Sequence, residues 1–356
     1  MRLRLPDSMC IHNRVSEVFN TSDGVEAEVY YRLTERFKQL LVAEAPSDLP
    51  IALAQSPIGT SPLLVVPENA DYLHALNARI LLLPDYRERL VELARLLIEM
   101  ASRQPDGVIA AIMLCPYRYY TAHHAINCAL LAARVGQSYA LKLDDMEQLV
   151  CAALTMNIAS VSLQDRMASQ EAPPSTSQRQ ALQAHPLVGS ALLREAGVES
   201  VLWHAIVLQH HEKKNGQGYP FGLTGEYLEP LAQLLHTLDV VTAKMMPRTY
   251  RGRILPQQAL GELYTGKLEV SDSILISHLV KIMGIYPPGS FVELADGSKA
   301  IVVNTTANAA TPRVVQLSRP TERIDTTHDA FRIVKVNNVQ VKESYLRLIY
   351  YLWSLS

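Results

Sequence analysis

Between Asp85 and Gln104 the segment DYRERLVELARLLIEMASRQ sets Leu90, Leu93, Leu96, Leu97 and Met100 at three- and four-residue steps. That spacing predicts an amphipathic helix. Upstream, EVYYRLTERFKQLLVA carries the same period, SPLLVV reads as a short strand-like run, and QPDG (Gln104 to Gly107) breaks the long helix. From about 107 to 285 the pattern is almost entirely helical. The predicted segments are Thr121–Val135, Asp144–Ile158, Pro186–Ala196, Ser200–Glu212, Glu226–Met245, Pro256–Thr265 and Ser271–Met283. Pro186 suits a first helical position just after His185, SDSI supplies a cap, and Gly284 ends the last segment.

After Pro287-Pro288-Gly289 the period changes. FVELADGSKAIVVN alternates twice around Asp296-Gly297, a hairpin signal, and RVVQL and FRIVKV add strands. The final ESYLRLIYYLWSL is a helix with large apolar groups on both faces, so it must dock within the chain or on a second copy. The expected fold is therefore mainly α. It has an N-terminal mixed or helical region, regulatory or dimerising (residues 1–106), a helical module (107–285) and a small β-rich C-terminal extension (286–356).

Charge changes this picture little. The 33 Lys and Arg against 35 Asp and Glu give a net charge of −2, with no general pull toward nucleic acid or anionic membrane. The basic start MRLRLPDSMCIHN has no apolar run behind it, so no signal peptide is expected. No stretch approaches the roughly eighteen apolar residues of a membrane span. Cys10, Cys115, Cys128 and Cys151 lack CxxC spacing, and three of them lie in apolar helical sequence, which reads as reduced, buried thiols of a cytoplasmic protein.

The candidate chemistry lies in the helical module. His123, His124, His185, His204, His210, His211 and His236 all fall there. Imidazole is the commonest neutral metal ligand, and separate helices can aim several at one point, although capping and core histidines use the same residue type. Asp239 sits in the apolar run LLHTLDVVTAK, where a bare carboxylate would cost several kcal/mol, so a metal, a buried His, Lys244 or Arg248 should face it. NGQGYP is a tight loop whose glycines permit positive φ. In KMMPRTYRGR, Lys244, Arg248, Arg251 and Arg253 surround Tyr250, which suits either phosphate binding with base stacking or a solvated basic loop.

Taken in order, His210-His211-Glu212, Gly216-x-Gly218-Tyr219-Pro220, Gly222-Leu223, a helix carrying Asp239, and Arg248-x-Tyr250-Arg251 resemble the HD-GYP family. These are cyclic-di-GMP phosphodiesterases of the HD phosphohydrolase superfamily, and the resemblance implies an HD-domain helical bundle. It also makes His124 the first-helix metal ligand, matches His185, His210 and His211 to ligands of a second metal position, and makes Asp239 the late carboxylate ligand. The departures are clear. Met156-Asn157 stand where the family has its His-Asp pair, Ser160 where it has a lysine, Tyr120 where some members have an acid, Gln233 for an arginine and Thr242 for a second aspartate.

Asn157 is neutral and bridges two divalent ions poorly, and Met156 is a poor partner for iron, manganese or magnesium. The resemblance, with these losses, implies a catalytically degenerate protein in cyclic-di-GMP signalling. It would be a nucleotide receptor or protein-interaction module using Gly218, Tyr219, Pro220, Lys244, Arg248, Tyr250 and Arg251. The expected cofactor is at most one divalent transition metal (Fe, Mn, Zn or Ni), or none. The expected partners are cyclic-di-GMP or a related dinucleotide and diguanylate cyclases, with a homodimer as an option. The alternative is an active phosphodiesterase with a mononuclear or rearranged site.

Overall fold

The computed structural model of the chain describes residues 60–246, 258, 261–262, 273–337, 339 and 343–354. The helical run around residues 28–43, Cys10, almost all of Pro256–Thr265, and Arg248, Tyr250, Arg251 and Arg253 lie outside the described residues.

SPLLVV is not a strand. It opens helix α1, Pro62–Asn77, with Ser61 as the cap accepting from Leu63 N and Pro62 at the first turn. A short apolar run suits either element, and the Ser-Pro start decided it. Helix α2 (Tyr86–Arg103) ends at Gln104, and Pro105 at once begins α3 (Pro105–Leu114). Then follow α4 (Tyr120–Ser138), α5 (Leu143–Thr155), a 3-10 turn (Ile158–Ser160) and α6 (Val161–Ser169).

Helix α7, Thr176–Glu195, begins ten residues before the predicted Pro186 start. Its Ser175 side chain accepts from Gln178 N while the Gln178 side chain takes the Ser175 N–H, a full capping box. Pro186 therefore lies inside the helix. Helices α8 (Val201–Gln209), α9 (Pro230–Met245) and α10 (Ser273–Met283) complete the helices of this module among the described residues.

Helix α4 is the axis of the bundle: 16 of its 19 residues are buried, as expected of a helix walled in on every side. Leu73 and Leu76 of α1, Leu90 and Leu97 of α2, Leu130 of α4 and Leu149 of α5 share one core. Trp203 is buried with its indole N–H donated to Thr155 Oγ1 at 2.9 Å, so α8 and α5 are pinned without an unmet polar group. One helical stretch, Leu143–Ser169, is long and apolar enough to cross a membrane by length and composition, contrary to the sequence reading, but 78% of its apolar window is buried within the protein.

The C-terminal strands form one antiparallel sheet ordered β4-β3-β2-β1-β5, with β1 Phe291–Leu294, β2 Lys299–Asn304, β3 Arg313–Gln316, β4 Arg319–Asp325 and β5 Ile333–Asn337. The β1–β2 hairpin pairs Phe291 with Ile301 and turns at Gly297, whose φ of 83° favours glycine. Strand β4 had no sequence signal because RPTERID is an exposed edge, polar on both faces. Asp106 of α3 ties the sheet to the bundle, accepting from Asn304 Nδ2 (3.0 Å), Thr305 N (3.1 Å) and Thr305 Oγ1 (2.8 Å). The C-terminal helix α11 (Glu343–Ile349) docks within the chain, and the following Trp353 donates its indole N–H to Val303 O at 2.9 Å.

Candidate metal centre

Proline within α7 shapes the site. Pro186 has no N–H to give to Leu182 O, and that freed carbonyl is taken by His185 Nδ1 at 2.5 Å. A second spare carbonyl, Val207 O in the last turn of α8, is taken by His210 Nδ1 at 2.7 Å. A carbonyl oxygen only accepts, so both Nδ1 atoms carry the proton and both Nε2 atoms are bare. These bare nitrogens face each other at 3.2 Å. Two opposed lone pairs repel unless a cation lies between them. A tetrahedral ion with nitrogens at ~2.0–2.1 Å would hold them about 3.3–3.4 Å apart, so the residues present fit one.

His211 completes the group, its ligand atom lying within 4.8 Å of those of His185 and His210. Burial pushes the His185 pKa down to about 3, helped by neighbouring His210, and burial pushes His210 down to about 4. Burial, with His210 and His185 beside it, holds His211 well below the usual imidazole range. Neutral imidazole is the form that ligates metals.

Beside it stands a second group. His124 Nε2 lies 2.7 Å from Asp239 Oδ1, with side chains only 2% and 15% exposed. Burial opposes charge on both. On His124 it is outweighed by Cys128 and by the Asp239 hydrogen bond, which raise the ring well above its usual value. On Asp239 it is outweighed by the hydrogen bond and charge of His124, which hold the carboxyl well below its usual range. His124 is thus the cation that Asp239 faces, rather than Lys244, and the field of Asp239 also reaches His185, His210 and His211. Sequence reasoning missed Cys128, one turn after His124, whose ligand atom lies within 4.8 Å of those of His124 and Asp239. The i, i+4 spacing was its only signal.

At the departed positions the structure places a neutral knot. Met156 is fully buried in the core. Gln164 Nε2 donates to Asn157 Oδ1 at 2.7 Å and to Ser160 Oγ at 2.9 Å, and Ser160 Oγ donates to Asn157 O at 3.1 Å. Both Gln164 amide protons are thereby used. Gln164 had no signal beyond its four-residue step from Ser160.

The Gly-Tyr-Pro loop folds back on the histidine turn. A Cβ at Gly218 would meet His211 O, Glu212 Cα and Lys213 N, so close backbone approach requires this glycine, whereas Gly216 meets the expected positive φ at 73°. Tyr219 stacks on His211 with centroids 4.6 Å apart and donates its backbone N–H to His211 O at 3.2 Å. Lys244 is engaged by Glu262 in an ion pair and is not a free cation for a ligand.

Glu212 holds the loop. Its buried carboxylate accepts from Phe221 N (2.6 Å), Gly222 N (3.1 Å) and Leu223 N (2.9 Å). Glu212→Gln replaces one acceptor oxygen with a donor and leaves a buried amide unmet, at about 1–3 kcal/mol. Amide exchange at residues 221–223 is expected to accelerate with helix content unchanged; unaltered exchange there would refute this anchoring role.

The profile of the HD domain matches residues 77–273, more than half of the chain. The chain belongs to the HD domain family. Within that family its likenesses are to HD-GYP proteins. It is 28% identical to the cyclic di-GMP phosphodiesterase PA4108 of Pseudomonas aeruginosa over 60% of this chain and 51% of that one. It is 24% identical to the cyclic di-GMP phosphodiesterase response regulator RpfG of Xanthomonas campestris pv. campestris over 42% of this chain and 40% of that one. The chain spans about half the length, or less, of these curated relatives. In fold it resembles Bd1817, a solved HDG"Y"P protein from Bdellovibrio bacteriovorus, with a TM-score of 0.52, 16% identity and coverage of 68% of this chain and 76% of that one.

Proposed function

We propose that this chain is a catalytically silent HD-GYP protein that recognises cyclic-di-GMP, or a related cyclic dinucleotide, without hydrolysing it. The observation carrying this reading is the uncharged Asn157–Gln164–Ser160 knot, with Met156 buried beside it. Two-metal hydrolysis draws both ions together with a shared anionic bridge, and a carboxamide already engaged by Gln164 supplies no such charge. Gly218, Tyr219 and Pro220 serve recognition, together with Arg248, Tyr250 and Arg251, while Lys244 is already committed to Glu262. His185, His210 and His211 hold one divalent ion, which supplies Lewis acidity when bound. In this reading the protein is cytoplasmic, residues 1–106 carry an input or a dimer contact, and diguanylate cyclases are partners.

The test is a nucleotide assay on the full chain with Mn, Fe, Mg, Ni or Co supplied. Binding of cyclic-di-GMP by calorimetry is expected, with turnover no higher than that of Asp239→Ala. Turnover above that blank would overturn the proposal. It would favour the second reading, a phosphodiesterase working from one ion on the bare His185 and His210 nitrogens.

A further inference from the structure

The second side-chain group supports more than an ion pair. His124 and Cys128 lie one turn apart on one face of α4, and Asp239 and Thr242 lie three residues apart on the facing side of α9. Four polar side chains thus meet across one buried helix interface. Cys128 Sγ lies 3.7 Å from His124 Nε2 and 2.9 Å from Thr242 Oγ1.

We infer that His124, Cys128 and Asp239 form a thiolate-containing metal site selective for zinc-class ions, distinct from the three-histidine group.

The geometry suits such an ion. A tetrahedral centre with sulfur at ~2.3 Å and nitrogen at ~2.0–2.1 Å holds the two about 3.6 Å apart, close to the observed 3.7 Å. The His124–Asp239 separation of 2.7 Å must open to about 3.3 Å as the ion replaces the proton they share. Binding releases two protons, the Cys128 thiol proton and the shared one, so a divalent ion enters with no change in net charge.

Thr242 completes the arrangement. Its hydroxyl reaches Leu238 O at 2.7 Å and is free to turn its proton onto a Cys128 thiolate. Such an outer hydrogen bond steadies a metal-bound sulfur. A thiolate favours zinc and cobalt over magnesium and manganese, so this position has a different metal preference from a carboxylate-rich one. The sequence reading allowed at most one ion per chain; this inference raises that to two. It holds whether or not the chain hydrolyses a dinucleotide.

The full chain, stripped with chelator and titrated with cobalt(II), gives the test. Two equivalents are expected, together with a near-ultraviolet sulfur-to-cobalt charge-transfer band. His210→Ala should lose one equivalent and keep the band. Cys128→Ala should lose the band and at least tenfold in affinity for the other equivalent. Circular dichroism checks that each variant is folded, and the wild-type band reads the site should a variant fail to fold. A wild-type cobalt form with no sulfur band, or a folded Cys128→Ala with both equivalents bound as tightly as before, would overturn the inference.

Discussion

Alanine at His210 is expected to empty the three-histidine site and to remove that site's share of the protein's stabilisation by metal, so that thermal stability responds less to chelator. In the wild type, His210 Nε2 faces His185 Nε2 at 3.2 Å, both Nδ1 protons being committed to carbonyl oxygens. An ion there removes a lone-pair repulsion and gains two preset ligands. A ligand at 100 times its Kd adds about 2.7 kcal/mol of stability, a shift of several degrees in Tm. In His210→Ala the repulsion is gone and so is the site. His236 Nδ1 still reaches the backbone carbonyl of residue 210, so the turn keeps its anchor.

Affinity at that site is expected to fall by more than about a hundredfold, since loss of even an outer-shell partner costs tenfold to a hundredfold. Metal content by elemental analysis and Tm with and without chelator provide the check. A variant whose Tm still responds to chelator as the wild type does would remove His210 from the ligand set.

The second large effect is a gain. Met156→His, Asn157→Asp and Ser160→Lys together should restore metal binding at those positions and at least weak cyclic-di-GMP hydrolysis. Asn157→Asp alone should recover metal before activity, because an anionic bridge precedes activation of water. The local structure favours that single step. Gln164 Nε2 already donates to the Asn157 side-chain oxygen and could donate equally well to a carboxylate. The other two changes are harder. Met156 and Ser160 are both fully buried, so an imidazole enters apolar core and an ammonium needs the new carboxylate as its partner.

Far-ultraviolet spectra, metal content and product chromatography follow the series. A folded triple variant that gains metal yet hydrolyses nothing would show that the pocket itself has changed. Tyr120, stacked on His124 at 5.8 Å, and Gln233, donating to Glu212 O at 3.1 Å, would then be the next residues to revert, with Thr242.

The sequence by itself determined the helical period of the described residues between 107 and 285, the change of period after Pro288, the hairpin at Asp296-Gly297 and the family resemblance. Each rests on residues close together in the chain, where spacing translates directly into geometry. It also exposed the Met156-Asn157 departure, which needs only residue identities. Tertiary structure decided the rest. His124 and Asp239 are 115 residues apart, and nothing local says that they meet. Lys244 looked free for a ligand until Glu262 proved to hold it. Pro186 looked like a helix start, because local rules place proline there, but the Ser175–Gln178 capping box began α7 upstream. The displaced proline then freed the carbonyl that sets the His185 tautomer. Cys128 and Gln164 passed as ordinary helix residues, since their roles depend on which atoms face them across a packed interface. Chain spacing fixes a side chain's face on its own helix, whereas only packing fixes what lies opposite.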